Sequence, residues 1–338
     1  MNPEAKNPDV TLAPTEPIPP TQPSALRDIF IGKDGLRAGW SLLVFIALLV
    51  AVLIAVGFVM HKIHLHSPSA RTTSEISLKA GFIMESIPLA AVLLATWIMA
   101  KIERRPYSAY GFGGRGKVAH FFAGLAWGVI CLSLLVLTLW KTGLLVIDGR
   151  LLFGSDILRY GAMWLIVFLL VGLFEEYLNR GYLQYTLTRG FAGFYRWASN
   201  TRNSEAFGFW TSAVILSFLF GLNHGKNPGE SPIGLLSAGL AGMVFCLSLW
   251  RTGSLWWAIG FHAAWDWAQS FLYGVADSGL MAQHHLLATH PVGKPILSGG
   301  ATGPEGSIFI VAVAGLISLI ILLTLPRTRL GDTPERSI

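Results

Sequence analysis

Charged residues are scarce in this 338-residue chain: Asp, Glu, Lys and Arg together make up 13% of it, whereas 53% of the residues are hydrophobic. In soluble domains, about a quarter of all residues are charged, so this composition excludes an ordinary soluble domain and is typical of an integral membrane protein. Cysteine is rarer still. The chain has two, Cys131 and Cys246, and both lie in apolar runs. Two isolated thiols exclude a disulfide framework and a cysteine-based zinc motif, and we expect both to contribute to packing.

The N-terminal residues lack the apolar stretch of a secretory signal peptide. They are rich in proline instead, which predicts a disordered, Pro-rich cytoplasmic tail over residues 1–36. Residues 37–326 are predicted to form one transmembrane helical domain, and residues 327–338 a short cytoplasmic tail.

Eight apolar runs approach the length of about 20 residues that a bilayer-spanning helix needs. The sequence therefore predicts an all-α, polytopic membrane protein with about eight transmembrane helices. The eight predicted spans are Trp40–Met60, Ala80–Ala100, Val118–Trp140, Ile157–Leu178, Ala206–Leu222, Ile233–Trp250, Ser254–Ala276 and Ser307–Leu325. One side of this arrangement carries more than twice as many Lys and Arg residues as the other, which predicts a multi-pass protein of the cell membrane with both termini cytoplasmic. This bias accounts for the net charge of +6 without a nucleic-acid partner.

The most unusual polar residues are two adjacent acids, Glu175 and Glu176, which follow an uncharged run from Trp164 to Leu173. A charge near the centre of a membrane helix costs roughly 2.5–3.5 kcal/mol on insertion scales, so an intramembrane acid is a functional candidate. Neighbouring helical residues point about 100° apart, so the two acids face different surroundings. Glu176 can pair with Arg180, four residues further on. This spacing predicts a structural Glu176 beside an unpaired, reactive Glu175.

Three further polar residues lie where apolar ones would cost less: His224 at the close of the fifth run, and His262 and Asp266 inside the seventh. His262 and Asp266 are four residues apart and so share a helix face. A carboxylate and a neutral imidazole can polarise a water for attack on a carbonyl, and a second imidazole can stabilise the resulting oxyanion. No Ser-His-Asp or Cys-His nucleophile is apparent in the runs, which favours water-mediated amide hydrolysis. The alternative for each residue alone is a hydrogen-bonded side chain that joins helices.

Three short motifs carry a resemblance to a known family: Glu175-Glu176-x-x-x-Arg180, Phe220-x-x-x-His224 and His262-x-x-x-Asp266. In this order, each on its own apolar run, they resemble the motifs of the CPBP family, which comprises the type 2 CAAX prenyl proteases and their bacterial relatives, often called Abi proteins. The resemblance covers roughly residues 165–275. It implies a multi-spanning helical intramembrane endopeptidase.

The resemblance also implies roles for the motif residues. Glu175 and His224 would activate the water, His262 and Asp266 would form the oxyanion site, and Glu176 would hold the first helix in register together with its partner Arg180. The last motif position is often Asn in the family and is Asp266 here. An Asn can donate to an oxyanion and an ionised Asp cannot. Either Asp266 is protonated, or it orients His262, or the site has drifted from its usual chemistry.

Zinc is the cofactor alternative, since the family is often described as metalloproteases. Glu175, His224 and His262, with Asp266, offer oxygen and nitrogen donors of the kind that zinc accepts. The sequence has no H-E-x-x-H motif, however, and the resemblance also supports a glutamate mechanism without metal. We favour a reaction that requires no cofactor, with zinc on Glu175, His224 and His262 as the alternative.

The sequence thus predicts a membrane-embedded peptidase whose partners are membrane lipids and a membrane-bound or lipidated substrate, and not nucleic acid. A non-catalytic immunity or scaffold factor of the same fold and a transporter that uses the same polar groups are the alternatives. All three motifs are present, which favours the enzyme, and no repeats are visible, which weighs against the transporter. A CAAX-type substrate follows from the resemblance alone, because a shared fold does not establish a substrate. The oligomeric state is not predicted.

Simple span ends place Glu175 and His224 on opposite faces of the membrane, because the fourth run goes inward and the fifth outward. We expect the fourth helix to continue past Arg180, to about Thr188, which brings Glu175 nearer to mid-depth. The alternative is that residues 221–232 dip back as irregular backbone lining a wet cavity. On the outer side, the Gly-rich residues 277–306 are expected to form flexible loops.

Overall fold

The computed structural model describes residues 29–32, 35–62, 75–199 and 201–326, and these residues are mostly α-helical. The predicted tail residues 1–28 and 327–338 lie outside the described residues. In order, the α-helices of the described ranges are α1 (Ala38–Lys62), α2 (Leu78–Glu103), α3 (Lys117–Lys141), α4 (Ser155–Glu176), α5 (Gln184–Ser199), α6 (Ser204–His224), α7 (Pro232–Thr252), α8 (Trp256–Trp267), α9 (Pro295–Ser298) and α10 (Ile310–Thr324).

The membrane-spanning helices follow the apolar runs of the sequence. In the described part of the chain, six helices are long and apolar enough to cross a membrane: α1, α2, α3, α6, α7 and the continuous helix of 45 residues that α4 and α5 form together. The predicted all-α polytopic fold is confirmed. The seventh and eighth predicted spans correspond to the shorter helices α8, with 12 residues, and α10, with 15. The number of eight spans therefore stays a prediction.

A single turn of π-helix, Tyr177–Leu183, joins α4 to α5 without a break. The expected continuation of the fourth helix past Arg180 is confirmed, and the helix runs on to Ser199. After a short connection, α6 packs against α5 and returns. At a rise of about 1.5 Å per residue, the helix from Glu176 to Ser199 and the antiparallel α6 are each roughly 30–35 Å long. His224 at the end of α6 therefore lies at about the same level as the end of α4. The alternative, irregular backbone over residues 221–232, is limited to residues 225–231, because α6 includes His224 and α7 begins at Pro232.

Helix α8 is held unusually close to α3 by glycine. A Cβ on Gly124 of α3 would lie 2.2 Å from the carbonyl oxygen of Trp257, and a Cβ on Gly260 of α8 would lie 2.2 Å from that of Phe121. Both distances are far too short for a carbon atom, so only glycine permits this approach, as is common where membrane helices meet. The contact fixes α8, which carries two of the predicted site residues, on one wall of the protein.

Short strands form three two-stranded sheets outside the helices. The strands are β1 (Ile31–Gly32), β2 (Gly35–Leu36), β3 (Glu75–Ile76), β4 (Leu145–Arg150), β5 (Met281–Ala282) and β6 (Leu287–Pro291). Strands β1 and β2 are antiparallel, β3 and β5 are parallel, and β4 and β6 are antiparallel with a register shift between Ile147 and Gly149. The β1–β2 pair falls within the segment that was predicted as tail.

Residues 273–306, which we call the cap, connect the end of the α8 region to α10. They contain β5, β6, α9 and a 3₁₀ turn at Pro304–Gly306, so the expectation of flexible loops in this segment was wrong. The cap is attached to the loop after α6, because the Thr302 hydroxyl donates to the Gly229 carbonyl at 3.0 Å. Within the cap, the Gly279 amide donates to the Thr302 carbonyl at 3.0 Å. Pairing with β3 and β4 gives the segment the partners that its Gly-rich sequence does not reveal.

Candidate active site

The two adjacent acids at the end of α4 face different surroundings, as their spacing predicts. Glu176 is fully buried, and its Oε1 lies 3.0 Å from Nη1 of Arg180, whose side chain is also buried. The predicted ion pair is therefore present. Glu175 points to the other side, keeps 24% of its side-chain surface exposed and lines a cavity.

The Arg180 guanidinium occupies a pocket between aromatic rings and a glycine. It lies over the Phe220 ring, with 4.3 Å from Cζ to the ring centroid, and 5.7 Å from the Phe245 centroid. A Cβ on Gly242 of α7 would lie 2.7 Å from Nη2 of Arg180, so that position must stay small. These cation–π contacts and the Glu176 carboxylate compensate for burial of the charge.

Glu176 has a second partner that the sequence did not predict. Its Oε1 also lies 3.0 Å from Nδ1 of His262 on α8, so one carboxylate oxygen bridges Arg180 and the imidazole. The approach of the two helices depends on Gly172, where a Cβ would lie 3.1 Å from the Ile259 carbonyl oxygen. Glu176 thereby fixes the orientation of the His262 ring, a common role for a carboxylate beside a functional imidazole.

The other nitrogen of His262 is directed to the cavity. Nε2 lies 3.8 Å from Oε2 of Glu175 and 3.5 Å from Oδ2 of Asp266. The Phe245 ring stacks on the imidazole with 5.4 Å between centroids. His262 and Asp266 share a face, as their spacing predicts, and the structure brings both of them next to Glu175.

His224 reaches the same cavity from the end of α6. Its Nδ1 lies 2.8 Å from the Phe220 carbonyl oxygen. Since a carbonyl only accepts, the Nδ1 atom carries a proton, and in that tautomer of the neutral ring Nε2 is the lone-pair acceptor. The Phe220 ring meets the imidazole edge to face at 4.7 Å. His224 thus lines the cavity with Glu175, although the two residues are separated by the full length of α5 and α6.

Both acidic stretches of the site are followed by π-helical turns. Tyr177–Leu183 follows Glu176 directly, and Ala268–Leu272 follows α8 shortly after Asp266. Such turns are rare and occur frequently at functional sites. In the first of them, the Asn179 side chain donates to the Glu175 carbonyl at 2.8 Å, which supplies a partner for backbone in the widened turn.

The cavity has a volume of about 440 Å³ and is lined by both apolar and polar side chains. The apolar ones come from α4, α7 and α10 and include Trp164, Val167, Phe168, Val171, Ala241, Ile310, Ala314 and Ile317. The polar ones, which we call the polar end, include the four residues Glu175, His224, His262 and Asp266 together with Asn223, Lys226, Asn227 and Ser270. A cavity of this size with convergent polar groups is the usual form of a binding site.

Two acids of the cap, Asp277 and Glu305, also line the polar end and were missed by the sequence analysis. Burial, and next the neighbouring Asp266 carboxylate, raise the pKa of Asp277 well above its ordinary value. Burial, and next the Asp277 carboxylate, raise the pKa of Glu305 to about 8. Glu85 on α2 is a further acid of the lining.

Metal ligation is the alternative that the sequence leaves open for Glu175, His224 and His262. In the ranges that the structure describes, no group of three or more His, Cys, Asp or Glu side chains is arranged to hold a metal ion. His262 is bonded through Nδ1 to Glu176, and its Nε2 faces the carboxylates of Glu175 and Asp266. In this arrangement the three candidate ligands do not form a preassembled metal centre.

A family model described as type II CAAX prenyl endopeptidase Rce1-like matches residues 158–268. No curated protein and no solved structure matches the chain. The matched range contains Glu175, His224, His262 and Asp266, and it ends before the cap. Residues 158–268 are thus similar to the Rce1-like type II CAAX prenyl endopeptidases.

Proposed function

We propose that the protein is an intramembrane endopeptidase that cleaves a membrane-associated or lipidated protein with a water activated by Glu175 and His224. The observation that carries this proposal is one cavity onto which Glu175, His224, His262 and Asp266 all open from three separate helices. The family match supports proteolysis as the reaction class. The apolar side chains of the cavity lining suit a substrate that arrives from the lipid phase.

Glu175 and His224 hold the attacking water in this proposal. The neutral His224 ring accepts one hydrogen bond from the water at Nε2, and the Glu175 carboxylate accepts the other. As the water oxygen forms a bond to the scissile carbonyl carbon, its proton moves to Glu175. The same proton then passes to the leaving nitrogen as the C–N bond breaks, which restores the ionised Glu175.

His262 and Asp266 stabilise the oxyanion of the tetrahedral intermediate. A protonated His262 donates from Nδ1 to Glu176 and from Nε2 towards the cavity. The positive ring balances one of the two carboxyl groups that face it, Glu175 and Asp266, and two ionised carboxylates so close together repel each other. Asp266 therefore carries a proton in this proposal and donates it to the oxyanion in a hydrogen bond, as the Asn often found in the family would.

The membrane setting of the enzyme is proposed on the same basis. The excess of Lys and Arg on one side supports cytoplasmic termini, and the apolar helices support residence in the cell membrane among lipids. The alternative to the metal-free mechanism is a zinc ion held by Glu175, His224 and His262, which would polarise the water and the carbonyl. The alternative functions are a non-catalytic scaffold and a transporter.

Comparison of membrane proteomes tests the proposal. Cells that carry the wild-type protein should contain new peptide termini that are absent from cells with Glu175→Ala or His224→Ala. The Asp156→Asn variant is the matched control, because Asp156 is an exposed acid at the start of the same helix α4. All variants should accumulate in the membrane like the wild type. Termini that persist in both Ala variants, or the absence of any that depend on the wild type, would favour a scaffold or a transporter.

A further inference from the structure

Two carboxylates of the cavity come from outside the range that the family model matches. That range ends at residue 268, whereas Asp277 and Glu305 belong to the cap and line the same polar end as Glu175. The residues proposed for the chemistry thus lie within the family domain, and these two acids are an addition from a different part of the chain. A cap that adds side chains to the cavity can change which substrates bind without changing the reaction.

Each of the two cap carboxylates is held in place by a serine. Glu305 accepts hydrogen bonds from the backbone amide and the hydroxyl of Ser278, the latter at 3.0 Å. Asp277 accepts one from the hydroxyl of Ser270 at 3.3 Å. Within the described residues, no Lys or Arg forms an ion pair with either acid. Neutral donors orient a carboxyl group without supplying a countercharge, so each acid can pair with a cation in its ionised form.

The lining of the cavity as a whole also contains more acidic than basic side chains. Among the described residues that line it, the acids are Glu85, Glu175, Asp266, Asp277 and Glu305, whereas Lys226 is the one Lys or Arg. The Lys226 ammonium is bonded to the side-chain oxygen of Asn223 at 3.1 Å. A concave site lined by one sign of charge attracts the opposite sign and disfavours its own, and the low dielectric of its walls strengthens both effects.

Building on the proposed endopeptidase function, we propose that Asp277 and Glu305 form a specificity subsite for a Lys or Arg side chain of the substrate close to the scissile bond. A substrate carboxylate at the same position is disfavoured. An ammonium or guanidinium group completes the hydrogen bonding of two carboxylates that otherwise contact serine, and it brings a countercharge to two acids that form no ion pair with Lys or Arg among the described residues. The subsite selects a cationic peptide and takes no part in the bond-breaking step.

A binding experiment with a protein that cannot cleave isolates this subsite from the chemistry. The full chain carrying Glu175→Ala is titrated in detergent with lipid-anchored fluorescent peptides that differ at one position by Arg, Ala or Glu. The Arg peptide is expected to bind on the order of tenfold more tightly than the Ala peptide, and the Glu peptide more weakly than both. The preference should disappear when Asp277→Asn and Glu305→Gln are added, because both substitutions keep the shape and an acceptor oxygen.

Asp148→Asn is the control for removal of an acid, since Asp148 is an exposed acid of β4 that pairs with His290. It should leave the preference unchanged. The three peptides are carried through all positions that flank the scissile bond, so that each position is tested. Equal binding of Arg, Ala and Glu peptides at every position, or a preference that survives the double substitution, overturns the subsite. Cleavage is measured separately with the protein that retains Glu175, so its absence would count against the proposed function and not against the subsite.

Discussion

The helical walls of the cavity and its cap use buried charge in opposite ways. In the walls, the ionisable groups satisfy one another: Glu176 bridges Arg180 and His262, and His262 in turn faces Glu175. In the cap, the carboxylates are held by serines and have no cationic partner among the residues that the structure describes. A paired charge fixes an arrangement of helices, whereas an unbalanced one leaves a place for a ligand. The comparison therefore assigns reaction geometry to the walls and substrate selection to the cap.

Substitution of Glu176 is the strongest way to break the walls. Glu176→Ala leaves the buried Arg180 without its countercharge, and loss of one partner of a buried ion pair costs about 3–5 kcal/mol. The thermal midpoint in detergent should fall strongly. The double variant Glu176→Met, Arg180→Met removes both charges and should recover much of the thermal midpoint. It should not recover activity, because the His262 ring then lacks the partner of its Nδ1 atom. Wild-type stability of Glu176→Ala would mean that water compensates Arg180.

Asp266 separates two explanations of the oxyanion site. Asp266→Ala should lower kcat by about 10²-fold, the usual effect of removing one oxyanion donor. Asp266→Asn should retain activity within about threefold, because an Asn donates as a protonated Asp does. Rates are compared at saturating substrate, and circular dichroism confirms that both variants fold. An Asn variant as slow as the Ala variant would show that the negative charge itself is required, and would assign Asp266 to orienting His262.

In the walls, the sequence predicts the contacts between residues of the same helix. The spacing of Glu176 and Arg180 predicts their ion pair, and the spacing of His262 and Asp266 predicts their shared face. The bond between Glu176 and His262 joins residues 86 positions apart and depends on how closely α8 approaches its neighbours. That approach is set by glycines such as Gly260, whose effect becomes visible only once the opposing helix is known.

The cap could not be predicted for a different physical reason. Its strands are two and five residues long and pair with segments far away in the chain, so they leave no periodic pattern. Asp277 and Glu305 therefore resemble the solvated acids of an ordinary loop. Helical periodicity reports which face of an element is buried, and a Gly-rich segment that packs through its backbone has no such periodicity.

A change of pH sharpens the assignment of the cap. Burial and the Asp277 carboxylate raise the pKa of Glu305 to about 8, Glu230 adds to the rise, and the Ser278 donors oppose it. An acid is neutral below its pKa and charged above it. The preference for an Arg over an Ala peptide should therefore grow about threefold between about pH 7 and about pH 9.

The ratio of the two kcat/KM values is measured at each pH, so that titration of groups that act on both peptides cancels. Arg is used because it stays protonated throughout this range. Glu305→Gln has no group to titrate at this position and should show a flat ratio. A ratio that rises equally in this variant would assign the pH dependence to another group of the cavity.

The smallest expected effect concerns metal. The described residues contain no group of three or more His, Cys, Asp or Glu side chains arranged to hold a metal ion, so we expect a chelator such as 1,10-phenanthroline to change the cleavage rate by less than about twofold. Metal content of the purified protein is measured in parallel, with and without Glu175→Ala. Loss of activity that added zinc restores, together with bound zinc that Glu175→Ala or His224→Ala removes, would instead make the walls a metal site. The cap would then remain the place of selection, because its two acids lie apart from those ligands in the chain.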